Sequence, residues 1–183
     1  MDKFILWLRR KRPGTVVRMR EYMMCLLRPM GVCPMSATLS ARVFRKDGSI
    51  EDKGVVGTHA VTDAFVAELV DALQAGGVAA FDDYKYHDSG TDNTAEAAAD
   101  TVLGAPCGDA RTTGTQAEGA SANIYQSVAT HTYGGTYSIV EHGLFNDGAV
   151  GTLMDRTVLG AAIGVESGDK IEWTYSLTCT AGG

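Results

Sequence analysis

Cysteine is sparse in this chain and shows no pattern. Cys25, Cys33, Cys107 and Cys179 form no C-x-x-C pair, and no histidine pair stands beside any of them, which argues against a zinc site. Long apolar runs are missing as well. The stretch 4–8 is far too short for the core of a secretory signal, and no later run approaches the length of a membrane span. The expectation is a set of reduced thiols in a protein folded in a cytoplasm. Among His59, His87, His131 and His142 there is no H-E-x-x-H spacing, and no G-x-S-x-G elbow, P-loop or dinucleotide fingerprint occurs. Asp88, Asp92 and Glu96 lack the spacing of a calcium loop. No period of 20–50 residues recurs, which excludes solenoids and propellers. From these absences no metal, no cofactor and no catalytic constellation are expected.

Positive charge is scarce beyond the first fifth of the chain. Residues 1–35 hold eight basic and two acidic side chains, a net of +6, whereas residues 36–183 hold eight basic and twenty acidic, a net of −12. The sequence therefore divides into a basic arm, 1–35, and an acidic domain, 36–183, whose surface is unsuited to nucleic acid. In the arm, Arg9, Arg10, Lys11 and Arg12 lie between two apolar groups, 4–8 and 22–27, with Pro13, Gly14 and Pro29 as breakers. Three readings stand for it. It lies along an acidic partner or nucleic acid, or it forms an amphipathic helix over 16–27 that packs on a neighbouring subunit, or Met35 is the true start.

From Ser36 onward the pattern is that of strands. Ile171, Trp173, Tyr175, Leu177 and Cys179 alternate with Glu172, Thr174, Ser176 and Thr178, which puts the large apolar side chains on one pleat face. Such a strand requires a second sheet to cover it. Leu39, Ala41 and Val43 alternate likewise. Asp47-Gly48 predicts a hairpin returning through 50–56. Thr62 or Asp63 is placed to cap an amphipathic helix over about 62–75, in which Phe65, Leu69 and Leu73 share a face with Val66 and Val70, and Gly76-Gly77 ends it. Further strands are expected over 80–87, 101–103, 123–133, 137–145 and 152–159, with 88–94 a turn-rich loop, 95–99 a short helical turn and 106–120 an extended surface loop. Gly134-Gly135 is expected to close a hairpin. The sum is all-β: a β-sandwich or jelly roll of about eight strands with one helix.

Two constellations bear on chemistry. Asp88-Ser89-Gly90 has the D-S-G form of an aspartic-protease loop, in which a second copy would supply the partner carboxylate; the same residues are ordinary turn formers. Glu141 and His142 are adjacent in a strand and point to opposite faces, so they cannot share one metal ion, and one of the two is expected to be buried.

Arg42 to Asp52, then Val61-Thr62-Asp63 and Leu69-Val70-Asp71, resemble the start of a group of small structural proteins of tailed bacteriophages. The resemblance continues through Tyr86 to Thr91, Glu118 to Tyr125, Glu141 to Phe145, Gly151 to Arg156 and Ser167-Gly168-Asp169, and leaves the arm uncovered. It implies a virion component assembled in the host bacterial cytoplasm. Small β-sandwich proteins of phage heads act as cement or decoration subunits. The resemblance thus implies a non-enzymatic protein that binds the major capsid protein and copies of itself as a dimer or trimer.

The arm residues expected to make the contact are Phe4, Trp7, Arg9, Arg10, Lys11, Arg12, Met23, Met24 and Leu26. The alternatives are a tail, fibre or baseplate component, a dimeric aspartic protease using Asp88, and DNA binding confined to the arm. No membrane partner is expected.

Overall fold

The structure, a computed structural model, describes residues 35–59, 61–72 and 83–180. Met35–Thr178 forms one compact unit. Its elements in chain order are β1 (Met35–Phe44), β2 (Ile50–His59), α1 (Asp63–Ala72), β3 (Tyr86–Gly90), β4 (Thr112–Thr113), β5 (Thr115–Glu118), β6 (Ile124–Thr132), β7 (Tyr137–Phe145), β8 (Leu153–Val165) and β9 (Lys170–Cys179). Two antiparallel sheets result: five strands in the order β2-β1-β9-β6-β5, and four in the order β4-β3-β7-β8. The fold is an all-β sandwich.

The alternation in β9 is the source of the core. Ile171, Trp173, Tyr175 and Leu177 are all buried, while Cys179 at the strand end is exposed. Beside β9, β1 contributes Ala37, Leu39, Ala41 and Val43; from the opposite sheet come Ile139, Leu144, Ile163 and Val165. Both inner faces thus interlock, as the period of two requires of stacked sheets. Each large side chain buried this way stabilises the fold by roughly 1.5–3 kcal/mol relative to exposure.

The β1–β2 hairpin turns at Asp47-Gly48 as its residues predict. Asp47 Oδ1 accepts from Ser49 N at 2.8 Å, and Gly48 N donates to Arg45 O at 2.9 Å. The helix begins where expected, with Thr62 Oγ1 accepting from Phe65 N at 3.2 Å as an N-cap. Phe65 enters the core edge-on to Tyr84, ring centroids 5.1 Å apart. Glu68 ties the helix to the β7–β8 turn by accepting from Asn146 Nδ2 at 3.2 Å and from the Thr152 hydroxyl. Val66 and Val70, expected on the buried side, are 39% and 51% exposed. Leu73 and the Gly76-Gly77 stop lie outside the described residues.

Four other expectations are corrected. The third strand is Tyr86–Gly90, so Asp88-Ser89-Gly90 is strand and not turn; Ser89 lies opposite His142 and Gly90 opposite Glu141 in β7. Residues 101–103 are not a strand, and 95–99 make only a turn at their end. Within 106–120, β4 pairs with β3 and β5 pairs with β6. Gly134-Gly135 does not close a hairpin. β6 pairs with β5 and β9 while β7 pairs with β3 and β8, so the two glycines carry the chain from one sheet to the other. In place of a hairpin partner, the 168–169 turn holds Tyr133: Gly168 N donates to Tyr133 O at 2.9 Å, and Tyr133 N donates to Asp169 O at 3.0 Å. Turn chemistry is the same for both outcomes; the partner strands decide.

Among the described residues, Trp173 is the largest fully buried side chain. Trp173→Ala should lower stability by about 3–5 kcal/mol in chemical denaturation, the usual cost of emptying an aromatic site. A loss below about 1 kcal/mol would show that β9 does not organise the core.

Candidate functional site

The strand β3 places its side chains on two faces, and both are covered. His87 and Ser89 point between the sheets, Tyr86 and Asp88 away from them. On the inner side, His87 Nδ1 lies 3.0 Å from His142 Nε2, and His87 Nε2 lies 2.9 Å from Ser127 Oγ of β6. Ser89 Oγ meets Tyr133 OH at 2.9 Å. The His142 ring packs against Trp173, centroids 4.9 Å apart. His131 stands nearby with Nδ1 at 3.1 Å from Thr112 Oγ1. A histidine pair in this geometry needs one nitrogen to donate and the other to accept, so the pair has no place for two imidazolium ions. Burial first, and then the neighbouring His131, pushes the His87 pKa down to about 3. Gly114 seals this chain of contacts: a Cβ there would lie 2.6 Å from Ser127 Oγ and 2.9 Å from His87 Nε2.

On the outer side, residues 91–111 form a strap across β3, β7 and β8. Glu141, fully buried, accepts from Ala105 N at 2.8 Å, Gly104 N at 3.0 Å and Asp92 N at 3.3 Å. Arg156 Nε donates to the same carboxylate at 2.7 Å, and its other nitrogens reach Asp100 at 3.1 Å and Asp92 at 3.3 Å. Gly90 allows this approach, since a Cβ would fall 2.3 Å from Glu141 Oε1. Further along, Arg111 lies over the Phe145 ring at 3.4 Å, donates to Asp88 at 3.3 Å and caps the carbonyls of Asp147 and Val150. Leu103, Phe145 and Leu153 make a small second core beneath the strap, with Tyr86 against it.

Each residue singled out in the sequence can now be placed. Asp88 faces Arg111 inside this cover and is 7% exposed; its Oδ1 accepts from Ser89 N at 2.8 Å. Glu141 and His142 do point to opposite faces, but both are buried rather than one, because the strap covers the second face. Asp92 joins Arg156, and Glu96 Oε2 accepts from Val158 N at 2.8 Å. Burial first, and then Asp109, Asp88 and Glu141, pushes the Cys107 pKa up to about 12, which keeps the thiol protonated. Among the described residues no three His, Cys, Asp or Glu side chains are arranged to hold a metal ion, and no helix is long and apolar enough to cross a membrane.

Phe4, Trp7, Arg9, Arg10, Lys11, Arg12, Met23, Met24 and Leu26 lie outside the described residues, as does the helix proposed over 16–27. Sequence reasoning missed Arg111 and Arg156 altogether. The signal that could have found them is their scarcity: two of only eight basic residues in an acidic domain, one in the 106–120 loop and one in the strand over 152–159.

What this arrangement does chemically is hold. Removing the Arg156 side chain would leave Glu141 buried without its cation. Arg156→Ala is expected to cost about 3–5 kcal/mol and to make 91–111 the first site of limited proteolysis. A loss under about 1 kcal/mol with no early cleavage would show the lock to be dispensable.

The histidine pair sets a pH dependence of definite sign. An unfolded His87 takes up a proton near its ordinary pKa of 6.5, the folded one only near 3. Stability is therefore complete above pH 6.5 and falls as the pH drops towards 3, by roughly 1.4 kcal/mol per pH unit from this group. His87→Gln should flatten the stability-versus-pH slope between pH 6 and 4 in urea titrations; an unchanged slope would assign the acid sensitivity to other groups.

Compared with known proteins, the chain matches no protein-family model, no curated protein and no solved structure.

Proposed function

We propose that this protein is a non-enzymatic structural subunit of a tailed-bacteriophage virion, one that decorates or cements the head shell. The observation that carries this reading is the use made of the reactive side chains. His87 and His142 bond to each other, Glu141 is consumed by Arg156 and three strap amides, and Asp88 is covered by Arg111. What the domain offers a partner is its surface: strand edges, loops and the basic arm. The sequence resemblance supports the same class and brings the virion as the location.

In this reading the domain is a rigid body and the arm, residues 1–35, is the grip. Its apolar residues Phe4, Trp7, Met23, Met24 and Leu26 gain affinity by burial across a subunit boundary, each offset by the cost of ordering the segment. Arg9, Arg10, Lys11 and Arg12 meet acidic groups of the major capsid protein or of a neighbouring copy. Repetition over a shell multiplies a modest contact into stable decoration.

The test is reconstitution with shells of the major capsid protein. The full chain should co-sediment at a fixed ratio to the capsid subunits, and Asp88→Asn should leave that ratio unchanged. Deleting residues 1–35 should abolish co-sedimentation while circular dichroism still reports a folded β domain. Full occupancy by the truncated chain would overturn the role of the arm. Density in the tail of a particle reconstruction, or a peptidase activity lost in Asp88→Asn, would overturn the proposal itself.

A further inference from the structure

Seven of the eight basic side chains of the domain are already paired. Arg111 and Arg156 are locked beneath the strap, Lys85 pairs with Asp83, and Lys53 with Glu51. Arg42, Arg45 and Lys46 cluster with the eighth, Lys170, at one end of the five-stranded sheet. There a depression of about 480 Å³ is lined by Phe44, Arg45, Lys46, Thr130, Gly168 and Lys170. In a domain with twenty carboxylates against eight bases, three cations and no carboxylate line it.

The lining is built, not merely crowded. Arg45 is fixed by Asp169 at 3.0 Å and Glu51 at 2.8 Å and caps Gly164 O. Asp169 also accepts from Lys46 N at 2.9 Å and from Glu166 N at 3.1 Å, so the β1–β2 turn and the β8–β9 turn are held as one rim. Lys170 is exposed and has no ion-pair partner among the described residues. Lys46 pairs only with Glu166, both side chains about 60% exposed, a contact that water screens and a better anion displaces. Glu172, the carboxylate next along β9 on the Lys170 face, is engaged by Arg42 at 3.1 Å. Phe44 supplies an apolar wall and Thr130 a hydroxyl.

We infer that this depression is a binding site for an acidic polypeptide segment, whose carboxylates are taken by Lys170 and Lys46 and whose apolar neighbour sits against Phe44. The volume falls in the range of ligand clefts and suits a few side chains. A long polyanion such as nucleic acid is disfavoured, because the net −12 of residues 36–183 repels it beyond the few charges the rim can meet. The inference rests on the preceding reading only in taking the partner to be a protein.

The probe is a fluorescein-labelled hexapeptide of five glutamates and one phenylalanine, titrated into the full chain by fluorescence anisotropy. Because the basic arm can also attract it, the result is read from variants that leave the arm intact. Lys170→Gln should weaken binding at least fivefold, and Lys53→Gln, which removes an equal charge outside the depression, should change it less than twofold. The amide signals of Thr130 and Gly168 should shift on titration. Equal weakening by both variants, or no shift at Thr130 and Gly168, would overturn the site. So would displacement of the peptide by millimolar inorganic phosphate, or tighter binding of a twelve-nucleotide single-stranded DNA that Lys170→Gln weakens. Shell co-sedimentation separates the two claims. If the parent and Lys170→Gln decorate shells alike and bind the peptide alike, the site fails alone. If the parent binds peptide but no shells, the virion reading fails alone.

Discussion

A sheet buried on both faces leaves no polar atom in contact with water, so each must find a partner within the protein. The sheet of β3, β7 and β8 is in that position. One face meets the sandwich core and the other lies under 91–111, and the consecutive residues Glu141–Phe145 and Leu153–Thr157 are buried without alternation. On the inner face two imidazoles bond to each other; on the outer one a carboxylate receives three backbone amides and a guanidinium. The two glycines, Gly90 and Gly114, stand where these groups approach the backbone too closely for any side chain.

This pairing explains why the strap is part of the fold and not an ornament on it. A buried ion pair gains little over well-packed apolar groups of the same shape, but breaking one is costly. Glu141 and Arg156 therefore contribute position more than net stability: they specify where 91–111 lies, and with it Leu103 over Phe145 and Arg111 over Asp88. The strap in turn accepts from the rest, since Ala98 O accepts from Asp63 N at 2.9 Å at the start of the helix.

The same pairing shapes the functional reading. His87, His142, Glu141 and Asp88 are buried and engaged with one another or with arginines, while residues 36–183 carry an excess of acidic side chains and the cation-lined depression lies at one end of the larger sheet. In the proposed reading the basic arm and the cation-lined depression are two distinct means of meeting an acidic partner, one local in sequence, the other assembled from β1, β6, β9 and the β8–β9 turn.

Local chemistry was legible. β9, the Asp47-Gly48 hairpin and the Thr62 cap could all be read because each depends on residues within a few positions of one another. The Asp88-Ser89-Gly90 strand was not, since its composition is that of a turn and only β7 on one side and β4 with Pro106 on the other make it extended. Nor could the Gly134-Gly135 crossing be told from a hairpin. The amino-acid sequence by itself determined that apolar residues with a period of two would build two layers, because that period is a property of the extended backbone. Only the tertiary structure decided that one layer would be covered twice, because covering it depends on Glu141 meeting backbone amides, and Arg156 carboxylates, of a segment 36 to 64 residues earlier in the chain.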